Sequence, residues 1–124
     1  MKLNEDFVPS TIDEAINYLF ENLSEEDKDF IKCNPNEGCH FTVGMNLRNN
    51  WSLWEENTPI KNDFKKRFNL FGHGDDMSGI ILKGLFNKVK GFPLNLEEEA
   101  EKYRQHWLKF GLDPETGKPW ILEK

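Results

Sequence analysis

The sequence predicts an all-α fold, a compact single-domain bundle of five or six helices with an irregular C-terminal tail. Three observations carry that prediction. Apolar residues recur at three- and four-residue steps through most of the chain, helix start and stop signals bracket those runs, and no run alternates with the period of a strand. The chain has 124 residues, with ten Phe and four Trp. That length suits one domain, read here over residues 1–124, and the aromatic side chains supply bulky core material.

Residues 1–9 read as an extended lead-in. Ser10-Thr11-Ile12-Asp13 has the form of a capping box, with an acid three residues after a hydroxyl. Ile12, Ala15, Ile16, Leu19 and Leu23 then follow at helical spacing. Ser24-Glu25-Glu26-Asp27 repeats the pattern and opens a shorter helix to about Lys32. After the loop Asn34-Pro35-Asn36-Glu37-Gly38, a third helix is expected from His40 to Trp51 or Trp54, with His40, Val43, Leu47, Trp51 and Trp54 on one side.

Thr58-Pro59 is a start signal, because proline at the first helical position lacks only a donor that would be unpaired anyway. Ile60, Phe64, Phe68 and Phe71 continue that helix, and Gly72 reads as its left-handed stop. A new start follows at His73-Gly74-Asp75-Asp76, where Asp75 or Asp76 is the expected N-cap. Apolar residues cover most of the circumference of this helix up to Gly91, so it should be the most buried. The last helix opens at Asn95 with Glu98 as a further capping box. Its inward stripe is Leu96, Ala100, Tyr103, Trp107 and Phe110. Residues 112–119 are rich in turn formers, and residues 112–124 form the predicted irregular tail.

Composition excludes several functions. The net charge is −6, the isoelectric point is near 5.1, and the longest basic cluster is Lys65-Lys66-Arg67. Neutralising phosphates requires clustered cations, so direct nucleic-acid binding is not expected. The opening Met1-Lys2-Leu3-Asn4-Glu5-Asp6 lacks the apolar run of a signal peptide, and no stretch approaches the roughly 20 apolar residues of a membrane span. With 31% charged residues and a mean hydropathy of −0.72, the expectation is a soluble cytoplasmic protein. Cys33 and Cys39 read as free thiols there.

The densest polar constellation is His73-Gly74-Asp75-Asp76, which reads either as a helix start or as a site of carboxylates beside a titratable imidazole. His40 could join His73 and Asp75 or Asp76 as a two-histidine, one-carboxylate metal site. However, the elements lie far apart in sequence and lack the short spacing of a metal motif, so no metal is assigned. Cys33, Cys39 and His40 likewise lack zinc spacing. Arg48, Asn49, Trp51, Trp54 and Ser78 are candidate binding residues, since Arg and Trp recur at protein-binding hot spots. No nucleotide, flavin or calcium fingerprint is present, and no cofactor is expected.

Two segments carry a likeness. Arg48-Asn49-Asn50-Trp51-Ser52-Leu53-Trp54 and His73-Gly74-Asp75-Asp76-Met77-Ser78-Gly79-Ile80-Ile81-Leu82, with Ser10-Thr11-Ile12-Asp13-Glu14-Ala15 ahead of them, resemble a bacterial and phage-associated domain family of unknown function. The likeness runs from about residue 9 to 107. It implies homology without a mechanism, and marks His40, Arg48, Asn49, Trp51, His73, Asp75, Asp76 and Ser78 as positions of interest. The functional expectation is a small acidic protein-binding module with a protein partner, conceivable as an immunity or anti-defence inhibitor that occludes a larger protein. The alternative is a hydrolase or ligand-binding domain using His40, Arg48, His73 and Asp75/Asp76.

Overall fold

Five helices are seen in a computed structural model that describes residues 7–33, 51, 53, 55 and 57–119. They are α1 (Ile12–Glu21), α2 (Glu25–Cys33), α3 (Pro59–Phe68), α4 (Gly74–Lys90) and α5 (Leu96–Lys109). No strand occurs among the described residues, and none of the helices is long and apolar enough to cross a membrane. The all-α prediction holds. The helix expected over residues 40–54 lies outside the described residues, apart from Trp51 and Leu53, which sit in turns and are fully buried.

Helix α4 is the axis of the bundle. Thirteen of its 17 residues are buried, leaving Asp75, Lys83, Lys88 and Lys90 to reach solvent, so neighbours must cover most of its circumference. Helix α1 packs on it most extensively, and α2 and α5 complete the cover, while α3 meets α1. The core is continuous from Ile12, Ile16 and Leu19 through Phe64 and Phe68 to Ile80, Ile81 and Leu85. Phe7 of the extended lead-in stacks on Tyr18 at 4.1 Å between ring centroids.

The helix starts follow the sequence signals with shifts of a residue or so. In α1 the cap is Thr11, not Ser10. Its hydroxyl accepts from the Glu14 amide at 3.0 Å, and the Glu14 carboxylate accepts from the Ser10 amide at 2.6 Å. The box at Ser24 forms as expected, with the Asp27 amide donating to the Ser24 hydroxyl at 3.1 Å and the Ser24 amide to the Asp27 carboxylate at 3.4 Å. Thr58 caps α3 ahead of Pro59.

Three expectations are corrected. Helix α3 ends at Phe68 because Asn69 takes the left-handed conformation (φ 55°), so Gly72 is not the stop and Phe71 is outside the helix. Asparagine tolerates that region better than other non-glycine residues. Asn95 is also left-handed (φ 54°) and makes no side-chain capping bond. Capping needs extended backbone at that position, so no box forms with Glu98. Glu97, Glu98 and Glu99 still favour the positive end of the helix dipole. Phe110 is the C-cap of α5 and is 67% exposed, so it does not continue the inward stripe.

Neighbouring helices satisfy the remaining ends. Asp63 of α3 accepts the Ile12 amide of α1 at 2.9 Å. Arg104 of α5 donates to the carbonyls of Phe68 and Asn69, thereby capping α3. Asn87, buried in α4, donates to the Leu94 carbonyl at 2.9 Å and holds the loop into α5. Arg67 bridges Asp13 of α1 and Glu97 of α5 at 3.0 and 3.1 Å.

Residues 112–119 form a turn, as the turn-rich sequence predicts, and it is held by backbone hydrogen bonds. The Asp113 amide donates to the Lys118 carbonyl and the Gly117 amide to the Asp113 carbonyl, both at 2.7 Å. The Phe71 amide donates to the Pro114 carbonyl at 2.8 Å, docking the turn on the α3–α4 linker. Gly117 has φ +75°, and a Cβ there would stand 2.7 Å from the Phe71 ring. Only glycine meets both demands.

Gly84 marks the closest approach of α1 to α4. A Cβ at this position would run into Cδ1 of Ile16, with Cδ2 of Leu96 3.0 Å away. Overpacking a tight core costs about 1–3 kcal/mol, more than the roughly 1 kcal/mol that alanine gains over glycine in a helix. Gly84→Ala should therefore lower stability in urea denaturation. An unchanged or raised midpoint would show that Ile16 has room to yield.

Candidate functional site

The junction between α3 and α4 gathers His73, Asp75 and Asp76 of the polar groups that the sequence singled out. Helix α4 starts at Gly74, and its N-cap is His73, not Asp75 or Asp76. His73 Nδ1 accepts the Asp75 amide at 3.1 Å. That bond requires a lone pair on Nδ1, so the neutral ring carries its proton on Nε2. Asp75 lies beside the ring, its Oδ2 3.9 Å from Nδ1. The physical reason for the shift is register: with the helix beginning two or three residues earlier than expected, both aspartates fall in the first turn, where they favour the dipole.

Asp76 turns inward and is only 5% exposed. Its Oδ2 accepts from Trp107 Nε1 on α5 at 2.7 Å. Burial pushes the Asp76 carboxyl above the usual carboxylate range, while the Trp107 bond and then the imidazoles of His73 and His106 pull it back. Trp107 is the hub of an aromatic cluster. Its ring centroid lies 5.3 Å from Phe71, 5.5 Å from His73 and 4.9 Å from His106. His106 in turn lies 4.9 Å from Phe110.

His73, Asp75, Asp76, His106 and Trp107 line an open concavity of about 450 Å³ between the start of α4 and α5, with Glu99, Lys102 and Tyr103 completing it. Lys102 pairs with Glu99 at 3.4 Å. A second concavity of about 300 Å³ shares Glu99 and Lys102 and extends to Phe92. A third shares Lys102 and His106 and extends to Leu108 and Lys109. Glu99, Lys102, His106 and Lys109 recur at three- and four-residue steps, so one stripe of α5 runs through all three.

Of the site residues expected from sequence, His73, Asp75 and Asp76 converge here. Ser78 is 0% exposed and donates to the Asp75 carbonyl at 3.1 Å, behind the cavity wall. Trp51 is 1% exposed and sits edge-on to Tyr18 in the core, 6.2 Å between centroids. His40, Arg48, Asn49 and Trp54 lie outside the described residues. Sequence reasoning missed Glu99, Lys102 and His106, and took Trp107 and Tyr103 as core stripe alone. One signal was available for Trp107: an indole N–H facing a core needs an acceptor. Among the described residues no group of three or more His, Cys, Asp or Glu converges as a metal would require. Among the described residues no Ser, Thr or Cys lines the cavity.

Residues 8–89 match a family described as a domain of unknown function, DUF6794. The matched span holds α1 to α4 and the His73–Asp76 segment, whereas Trp107 lies beyond it. No curated protein and no solved structure shows significant similarity to the chain.

The Asp76–Trp107 bond generates a paired prediction. Asp76→Ala leaves the indole N–H without an acceptor and should cost about 1–3 kcal/mol. Asp76→Asn keeps an acceptor and removes a desolvated charge. A carboxyl whose folded pKa is raised stabilises the fold most below its unfolded pKa and loses that contribution as pH rises through the folded value. Melting temperatures should therefore favour Asp76→Asn over wild type progressively from pH 3.5 to pH 7. A difference that is flat or falls across that range would show that the carboxylate is not destabilised by burial.

Proposed function

The chain belongs to this family of domains of unknown function, DUF6794, and we propose that it is a non-enzymatic protein-binding module that docks through the outer face of α5. In a bacterial or phage setting the same reading makes it an immunity or anti-defence inhibitor that occludes a larger protein. The observation that carries it is the apolar surface left exposed at the end of α5. Phe110 is 67% and Leu108 40% exposed, and the Phe110 ring packs only partly on His106. Aromatic side chains left in water beside a polar, concave surface are the usual anchors of protein interfaces. The net charge of −6 would steer a basic partner toward it.

The hydrolase or ligand-binding reading draws less support. His73 Nδ1 and Asp76 Oδ2 are both engaged in holding the junction. His40 and Arg48, which that reading also needs, are outside the described residues.

Affinity capture with the wild-type chain from its native host should recover a stoichiometric partner. Phe110→Asp places a charge where an apolar anchor is needed and should abolish that capture with the melting temperature within a degree or two, since exposed substitutions seldom move stability by more than about 0.5 kcal/mol. Recovery of the same partner by Phe110→Asp would sink the proposal.

A further inference from the structure

We propose that the concavity between the start of α4 and α5 receives the guanidinium of an arginine side chain presented by a basic partner. This rests on the docking reading above and identifies what this part of the face recognises.

The sign of the charge is decided by the helix terminus. The N-terminus of α4 taken alone would attract an anion, since its dipole is equivalent to roughly +0.5 charge. Here Asp75 and Asp76 already occupy the first turn, and Glu99 faces them from α5. Asp75 and Glu99 outweigh half a charge and Lys102 together, and Asp76 adds to them from the buried wall. The field in the cavity is therefore negative, and an anionic ligand is disfavoured. Lys102 does not fill the site, because its ammonium reaches Glu99 at 3.4 Å while its side chain is 71% exposed.

The shape of the walls favours guanidinium over a rounder cation. His73 and Trp107 present rings 5.5 Å apart at 44°, with Tyr103 alongside. A planar guanidinium stacks on such faces and still directs its N–H groups at a carboxylate in its own plane, whereas an ammonium is a compact, strongly hydrated point charge. The cavity of about 450 Å³ falls within the size range of ligand pockets, and its open side admits a side chain carried on a backbone.

The test uses the full chain and the peptide acetyl-Gly-Arg-Gly-amide, followed by NMR at the indole N–H of Trp107, which is assigned by its loss in Trp107→Phe. That resonance should move saturably with the arginine peptide. The citrulline peptide, the same shape without charge, should bind about tenfold more weakly or worse, as should the lysine peptide; tenfold corresponds to 1.4 kcal/mol. Asp75→Asn should weaken arginine binding severalfold, with the melting temperature lowered only by the few degrees that losing a first-turn charge entails. Equal binding of citrulline, equal binding of lysine, or full affinity in Asp75→Asn would each overturn the assignment. If arginine fails while Phe110→Asp still loses the native partner, the guanidinium site falls and the docking face stands. If arginine binds but Phe110→Asp keeps the partner, the docking surface falls instead.

Discussion

A carboxyl group buried to the extent of Asp76 has to be matched, and the indole N–H of Trp107 matches it. Much of the molecule's organisation follows from that pairing. Asp76 is in the first turn of the most buried helix, so its side chain cannot escape to water without unwinding the start of α4. Trp107 is three turns into α5, so the bond sets how α5 lies against α4. Phe71 then packs on the other edge of Trp107, and the turn over residues 112–119 closes on Phe71 through the Pro114 carbonyl. Two regions distant in sequence, residues 71–76 and 107–119, are thereby joined at one point.

The same logic runs through the other helix ends. An α-helix leaves four amides and four carbonyls unpaired at its termini, and in a small bundle neighbours supply part of what they need. Asp63 reaches across to the start of α1, and Arg104 to the end of α3. These bonds weigh more than the surface ion pairs of Arg67, because exposed pairs contribute only about 0–1 kcal/mol. The fold is an apolar cylinder of helices around α4 whose ends are tied by side chains from adjacent helices.

The polar junction and the outer face of α5 are therefore two sides of one construction. Trp107 uses its N–H inward and leaves part of its ring outward, against His73 and His106. Structural duty at the junction occupies His73 Nδ1 and Asp76 Oδ2, while Asp75 and Glu99 line the cavity.

The helical class, four of the five described helix starts to within about a residue, and the burial of α4 were legible in sequence, because they depend on local spacing and on capping residues that act over three or four positions. Ser24 with Asp27 and Thr58 with Pro59 are cases in point. The stop at Asn69 and the left-handed Asn95 were not, since both residues tolerate several backbone states and only the packed chain selects one. For the site, the sequence determined the imidazole and two carboxylates at the start of α4. Which carboxylate is buried, which ring meets it and where the cavity opens were decided by tertiary structure. Asp76 and Trp107 are 31 positions apart, and no local pattern encodes a hydrogen bond that exists only once α5 lies on α4.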